Sequence, residues 1–273
     1  MGKRISVVTV CWNAERHIEQ TIRSVICQNY LDFEYIVVDG LSSDGTMQIV
    51  EKYLPVFQKK KIVCRVISEK DKGIYDAMNK AIDMADGDWI IYMNAGDYFF
   101  KREVLSDVSE ELDDEIGVLY GDVVIHERHK FKYVPAGDIE ELKKRDPIHH
   151  QACLTRTSFL KKHRFDMNYQ IGSDYDLFLR MYLDGVKFKR INYVWAVFLL
   201  GGLSHQHFLS FTKEMYRSRI QNGVKDGRNL WVSLILNGAF YRARDLGQLL
   251  VPGLLYSKKR GWFSDKNEAI VKN

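Results

Sequence analysis

The stretch YIVVDGLSSDGTMQIVEKY, residues 35–53, passes from a short apolar strand through a polar turn into a helix-period pattern. The same plan recurs through the first hundred residues. Apolar strands are predicted at 5–10, 35–38, 62–67 and 89–93, and helices at about 18–27, 46–53 and 74–84. Strands rich in Val and Ile that alternate with helices indicate a mostly parallel sheet covered by helices. The sequence therefore predicts an α/β fold.

Beyond residue 97 the pattern loosens. We predict a strand at 118–121, a hairpin around 123–134, a helix at 175–183 and a mostly helical stretch over 211–256. Residues 1–210 are therefore interpreted as the α/β domain, and residues 211–273 as a helical, basic C-terminal extension.

The formal net charge of +4 is unevenly distributed along the chain. Residues 1–212 carry 28 Lys and Arg against 31 Asp and Glu, whereas residues 213–260 carry ten against three. Because the basic excess is confined to the C-terminal segment, we do not expect the main domain to bind nucleic acid.

The four cysteines, Cys11, Cys27, Cys64 and Cys153, are far apart in sequence and form no CxxC pair. Buried reduced thiols in a cytoplasmic protein are the expectation. The N-terminal residues do not have the pattern of a signal peptide, and no apolar run approaches the roughly 18 residues that cross a bilayer. We predict a cytoplasmic protein that does not span a membrane.

Polar, acidic or glycine-bearing residues follow each of the first four strands, at the edge where such sheets bind ligands. Asp39 could accept a hydrogen bond from the imide N–H of uracil; the alternative is that it only ties down a turn. The helix start at 71–79 has backbone N–H groups and Lys72 suited to a diphosphate. Asp76 and Asn79, three residues apart, could reach the ribose or pyrophosphate from one helix face, or form a solvated face.

Two further segments carry acids suited to chemistry. Asn94 and Asp97 end a buried strand and offer hard oxygen ligands for Mg²⁺ or Mn²⁺, although a simple β-turn is the alternative. Asp174 begins an apolar-periodic helix, whose positive end keeps a carboxylate ionised. An ionised carboxylate could act as a general base on an acceptor hydroxyl, and an ordinary capped helix is the alternative.

Together these segments resemble the family 2 glycosyltransferases, which are inverting enzymes with a Rossmann-like GT-A fold, common in bacterial polysaccharide assembly. The motifs that carry the resemblance are, in chain order, SVVTVCWNAE (6–15), VVDGLSSDGT (37–46), NAGD (94–97) and GSDYD (172–176). The resemblance covers roughly residues 4–205.

The resemblance implies roles for single residues. The nucleotide pocket would be lined by Thr9, Asn13, Glu15, Asp39 and Asp71. Asp97 would be the metal ligand and Asp174 the catalytic base. The chain departs from the family pattern twice: Asn94 stands where many members have an acid, and Ser173 replaces a Glu, which leaves Asp176 as a rival base.

The family often adds acceptor contacts from the region before the base and from a loop after it, here residues 148–151 and 199–207. His205 in that loop could complete the metal shell, or it could be polar surface.

The C-terminal segment combines apolar stretches, 230–236 and 246–256, with basic residues. Such helices can lie in the interface of an anionic membrane, where a lipid-linked acceptor would be found. The alternative is packing on the catalytic domain or a contact between copies in a homo-oligomer.

The sequence thus predicts an inverting glycosyltransferase that moves a sugar from a nucleotide diphosphate donor, with a UDP-sugar favoured. The acceptor would be a saccharide or lipid-linked acceptor in cell-surface polysaccharide biosynthesis. A nucleotidyltransferase that makes sugar nucleotides is one alternative, although the first turn lacks the Gly-rich, basic loop it would usually show. An inactive GT-A-fold carbohydrate-binding protein is the other.

Overall fold

The computed structural model describes residues 3–127, 130–199, 208–224, 230–236, 238 and 239. The strands in these residues are β1 (Ile5–Cys11), β2 (Phe33–Asp39), β3 (Val63–Ser68), β4 (Trp89–Tyr92), β5 (Tyr98–Phe99), β6 (Val118–Glu127), β7 (Lys130–Val134), β8 (Cys153–Arg156) and β9 (Phe188–Leu199). The main helices are α1 (Ile18–Ile26), α2 (Thr46–Lys59), α3 (Ile74–Met84), α4 (Val104–Glu110), α5 (Thr157–His163), α6 (Ser173–Leu183) and α7 (Phe208–Gln221). Two short 3₁₀ helices are Ile139–Lys143 and His150–Ala152.

These strands form one sheet in the order β3-β2-β1-β4-β8-β6-β9-β5, with β7 beside β6. The half formed by β3, β2, β1 and β4 is parallel, as predicted. The other half is mixed, because β8 runs antiparallel to both β4 and β6 while β9 is parallel to β6. The prediction of a mostly parallel sheet therefore holds only for the N-terminal half.

Every residue of β1 and β2 is buried, because helices cover both faces of this half of the sheet. Alternate side chains enter two separate cores. Val7 and Val37 pack with α1 and α2, whereas Val8 and Val38 pack with α3 and α6. Continuous burial explains why these strands are apolar throughout instead of alternating with polar residues.

The strand register brings the loops that follow the first four strands to one edge. Cys11 is paired with Asp39, and Asp39 with Ser68. Beyond β4, the backbone N–H of Ala95 donates to the carbonyl of Val10. The segments predicted to bind ligand therefore lie side by side at the carboxyl ends of the strands.

Helix α7 holds the start of α6. The Glu214 carboxylate accepts backbone N–H groups from Gln170, Ile171 and Gly172 at 2.8–3.0 Å. The predicted boundary between residues 210 and 211 falls inside α7, and the division into two units stays a prediction. Within the described residues, no helix has both the length and the apolar character needed to cross a bilayer.

Several local predictions need correction or confirmation. β6 is continuous from Val118 to Glu127 and forms the predicted hairpin with β7, without a break after residue 121. α2 continues to Lys59 with Pro55 inside it, beyond the predicted end at 53. All four cysteines are free thiols, and only Cys64 is partly exposed.

Candidate active site

Side-chain hydrogen bonds connect the loop after β1 to the loop after β2. Asn13 Oδ1 accepts the N–H of Ser43 at 2.9 Å, and Glu15 Oε2 accepts the N–H of Gly45 at 2.8 Å. Asn13 has a positive φ of 48°, a conformation that Asn tolerates better than most residues. Asn13 and Glu15 thus lie beyond the carboxyl end of β1 and bond the loop after β2. The two loops together form the rim of the candidate site.

Asp39 is fully buried at the end of β2. One carboxylate oxygen accepts the backbone N–H of Ser42 at 3.0 Å and the hydroxyl of Ser68 at 2.6 Å. The other accepts from the Ser42 hydroxyl and lies 3.6 Å from Cys11 Sγ. The turn-forming role is therefore present in the structure. Contact of this carboxylate with a uracil base stays a prediction.

Gly40 allows two side chains to meet at this rim. A Cβ atom at position 40 would lie 2.9 Å from Asp71 Oδ2 and 3.4 Å from Trp12 Cδ1. The Trp12 side chain is 68% exposed, and Asp71 forms a 2.6 Å ion pair with Lys80. The structure thus brings Asp71 beside the exposed aromatic ring of Trp12, at the ends of β1 and β2.

Two residues predicted to contact ligand have hydrogen-bond partners inside the protein. Thr9 is fully buried, where its hydroxyl donates to the Met93 carbonyl at 2.7 Å and accepts from Tyr35 at 2.8 Å. Asn79 bonds the backbone of Phe165 through both amide atoms, at 2.9 and 3.0 Å. The interior therefore uses the hydrogen-bonding groups of both side chains, and ligand contact by either residue stays a prediction.

The start of α3 also differs from the prediction. Asp76 Oδ2 accepts the backbone N–H of Lys72 at 3.0 Å and lies 3.6 Å from Lys80 Nζ. Asp76 therefore bonds the turn that precedes its own helix, whereas Asn79 bonds the backbone of Phe165. Lys72 stays exposed at the helix start, next to Gly73, whose φ of +128° favours glycine.

A second polar cluster joins three separate parts of the chain. His150 Nδ1 lies 3.0 Å from Asp174 Oδ2, and His150 Nε2 lies 3.3 Å from Asn94 Nδ2. An ionised carboxylate can only accept, so Nδ1 carries a proton in either protonation state of the ring. Burial lowers the pKa of His150, but the hydrogen bond to Asp174 and the charges of Asp174 and Asp97 outweigh it and raise that pKa.

Asp97 is buried beside this cluster. Burial raises the pKa of its carboxyl group to about 6, while His150 and a hydrogen bond from Gln151 act in the opposite direction. Thr21 fixes the turn, because its hydroxyl donates to the Asp97 carbonyl at 2.7 Å and accepts the Gly96 N–H at 3.0 Å. Among the described residues, this carboxylate forms no ion pair with a Lys or Arg side chain.

The oxygen atoms here fit a divalent cation shared with phosphates. Asn94 Oδ1 is buried without a hydrogen-bond partner, and the Asp97 carboxylate belongs to the same turn. No group of three His, Cys, Asp or Glu side chains in the described residues forms a metal cage. Mg²⁺ usually takes one or two carboxylates together with substrate phosphates, so a full cage is not required. His205 lies outside the described residues.

The structure separates the two candidate bases. Asp176 is buried and accepts from Arg180 Nε and Ser218 Oγ, both at 2.7 Å, and from Asn222 at 3.2 Å. It therefore ties α6 to α7. The Asp174 side chain is partly exposed and faces His150. Asp174 is the carboxylate that an acceptor hydroxyl could reach.

His150 is the residue whose role sequence reasoning missed. Residues 148–151 were placed on the acceptor side without a function for either histidine. Its partners, Asn94 and Asp174, are 56 and 24 residues away, so no local pattern signals the pairing.

The family model described as "Glycosyl transferase family 2" matches residues 6–182, which include the ends of β1, β2 and β4 and both acids of α6. The chain belongs to glycosyl transferase family 2. This family match removes the support for the nucleotidyltransferase alternative.

Similar proteins agree with this assignment. The chain is 27% identical over 205 residues to a PGL/p-HBAD biosynthesis glycosyltransferase of Mycobacterium tuberculosis, covering 73% of this chain and 78% of that protein. The mannosyltransferase PcManGT from Pyrobaculum calidifontis, solved with GDP-Man and Mn²⁺, aligns with a TM-score of 0.64 at 15% identity, covering 98% of this chain and 78% of that one. Residues 1–349 of S. aureus TarS, solved with UDP-GlcNAc, align with a TM-score of 0.61 at 20% identity, covering 79% of this chain and 66% of that one.

The two solved structures establish the fold alone, and they confirm the GT-A architecture predicted from the sequence. The family match and the mycobacterial relative identify the chain as a glycosyltransferase. In this family 2 chain the candidate base, Asp174, and Asn94 of the turn that carries Asp97 both contact His150.

Proposed function

We propose that this glycosyltransferase transfers a sugar from a nucleotide diphosphate donor, with inversion, to a saccharide or lipid-linked acceptor. The observation that carries the proposal is the path from Asn94 through His150 to Asp174. It joins the turn suited to a divalent cation on the diphosphate with a partly exposed carboxylate. A donor and a base acting on the acceptor therefore share one site.

The reaction follows from these positions. Asp174 takes the proton of the acceptor hydroxyl as that oxygen bonds to the anomeric carbon. The bond from this carbon to the diphosphate breaks on the opposite face, and the electron pair leaves with the nucleotide diphosphate. Attack and departure on opposite faces invert the configuration in one displacement.

The nucleoside would lie at the rim formed by the loops after β1 and β2. The exposed ring of Trp12 offers a stacking surface, with Asp71 beside it and Asp39 at the end of β2. A UDP-sugar is the favoured donor, because a carboxylate accepts the imide N–H of uracil. Asn13, Glu15 and Lys72 complete the rim, with Lys72 near the diphosphate.

Asp97 and Asn94 Oδ1 would hold Mg²⁺ or Mn²⁺ together with oxygens of the diphosphate. Such a cation supplies positive charge beside the departing nucleotide diphosphate. It would also lower the pKa of the Asp97 carboxyl group, opposing the effect of burial.

A thermal-shift panel tests the donor class directly. We expect a nucleotide diphosphate sugar, most strongly a UDP-sugar, to raise the unfolding midpoint more with Mn²⁺ than without it. A ligand at 100 times its Kd stabilises the folded state by about 2.7 kcal/mol.

Product analysis completes this test. Detection of donor hydrolysis or transfer with the stabilising donor would exclude the inactive carbohydrate-binding alternative. A panel in which no nucleotide sugar shifts the midpoint, with or without Mn²⁺, would contradict the proposed function.

The exposed residues of the C-terminal helices support a lipid-linked acceptor at an anionic membrane surface. The outer side of α7 combines apolar and basic side chains, with Leu209 and Ile220 exposed beside Lys213 and Arg217. The helical residues 230–236 bury Ser233 against Arg219 but expose Trp231 by 74% and Ile235 by 67%.

We propose that this surface, which we call the C-terminal face, rests on anionic lipid. Exposed aromatic and aliphatic side chains enter the interface of a bilayer, and basic side chains add about 1 kcal/mol each near an anionic surface. Residues 213–260 contain ten Lys and Arg against three Asp and Glu, and this positive charge complements anionic lipid.

A vesicle sedimentation assay tests the C-terminal face. We expect the protein to sediment with vesicles rich in phosphatidylserine but not with neutral phosphatidylcholine vesicles, and the double variant Trp231→Ser/Ile235→Ser to stay in the supernatant. Leu31→Ser is the matched control, since Leu31 is also exposed, by 65%, but precedes β2. Equal sedimentation of the double variant and the wild-type protein would contradict membrane docking.

A further inference from the structure

We infer that His150 is a positioning residue, which holds the Asp174 carboxylate in the orientation that accepts the proton of the acceptor hydroxyl. This inference rests on the proposed function, because it gives Asp174 the role of base. It assigns a residue for which neither the sequence motifs nor the comparisons give a role.

The first support is the geometry of the Asp174 carboxylate. Oδ2 lies 3.0 Å from His150 Nδ1, and Oδ1 accepts the N–H of Tyr175 at 2.9 Å. Each carboxylate oxygen is therefore fixed by one donor and keeps a lone pair for a further hydrogen bond. The carboxylate is oriented and still able to take a proton.

The second support is the way in which His150 itself is held. It begins the short 3₁₀ helix that leads directly into β8, a strand of the central sheet. Its second ring nitrogen contacts Asn94 at the end of the neighbouring strand β4. The backbone of His150 is thus held by the segment that enters β8, and its ring is held by Asn94 after β4. These contacts give Asp174 a rigid support.

The third support is that the helix alone does not fix Asp174. The side chain lies in the first turn of α6 and is 18% exposed. Among the described residues, the only side chain shown to hydrogen-bond it is His150. Without this contact only the N–H of Tyr175 in the same helix would hold the carboxylate, and loss of orientation alone can slow a reaction by about 100-fold.

Isosteric variants separate positioning from packing. The side-chain amide of Asn can place a donor where His has Nδ1, whereas that of Gln places it where His has Nε2. We expect His150→Ala to lower kcat by about 10- to 100-fold with the donor KM little changed. His150→Asn should recover most of the loss, and His150→Gln should not.

A double-variant experiment shows through which group His150 acts. If it acts through Asp174, adding His150→Ala to Asp174→Asn should cause no further fall in the residual rate. His163→Ala is the matched control with wild-type kcat expected, because His163 lies 3.7 Å from Asp184 at the opposite end of α6.

Three results would overturn the inference while the proposed function stands: wild-type kcat in His150→Ala, no recovery in His150→Asn, or a further fall in the double variant. Wild-type turnover in Asp174→Asn would instead refute the base assignment of the proposed function. The two failures are therefore distinguishable.

Discussion

Asp174→Asn is expected to lower the rate of sugar transfer by about 10²- to 10⁴-fold, the usual contribution of a general base. Asn keeps the size of the side chain, but its amide cannot take the proton of the acceptor hydroxyl. Donor affinity should be unchanged, because Asp174 acts on the acceptor. Initial rates at saturating donor and the donor-induced thermal shift measure the two effects.

Asp176→Asn is the matched control, two residues along the same helix. It weakens the buried bonds to Arg180, Ser218 and Asn222, so we expect a lower unfolding midpoint with a near wild-type kcat in the folded protein. A large loss of kcat in Asp176→Asn with an unchanged midpoint would restore it as the base. Wild-type rates in Asp174→Asn would refute the assignment of Asp174 as the base.

Asp97→Asn is expected to lower metal-dependent turnover by on the order of 10³-fold, because positioned positive charge at the leaving group is commonly a large contribution to such rates. The Mn²⁺-dependent part of the donor-induced thermal shift should disappear as well. This second readout does not depend on activity. Asp88→Asn is the control, since Asp88 precedes β4 and Asp97 follows it.

A further prediction concerns the stability of Asp97→Asn in the absence of metal. The folded-state pKa of Asp97, about 6, lies above its ordinary value of 3.8, so the folded protein loses stability as pH rises through this range. Removing the carboxyl group should therefore not lower the unfolding midpoint at pH 8 in the presence of a chelator. A large fall in that midpoint would show that Asp97 is needed for folding, which contradicts a role as metal ligand alone.

The edge of the sheet at which the acids lie could be predicted from the sequence, for a local reason. A parallel strand buried on both faces must be apolar along its whole length, and its polar residues then collect where it ends. Asp39, Asp71 and Asp97 follow their strands in this way, and the order of strands and helices up to β4 matched the prediction. The C-terminal half offered no such alternation, so β8 and β9 were not predicted.

The direction of single side chains could not be predicted. Thr9 and Asn13 belong to one motif, but Thr9 turns into the core while Asn13 stands at the rim. When both faces of a strand are buried, the sequence does not show which face a polar residue occupies or which interior group it bonds. The bonds of Asn79 to the Phe165 backbone could not be predicted for the corresponding reason on a helix.

The sequence by itself determined the family, the parallel half of the sheet and the edge at which the acids collect, since these depend on local periodicity and motif order. Only the tertiary structure showed that Asp174 is partly exposed whereas Asp176 is bonded to α7, and it alone brought His150 to Asp174. Both outcomes depend on contacts between residues far apart in the chain, such as Asp176 with Ser218 on α7. No local spacing encodes those contacts, because packing of the whole chain creates them.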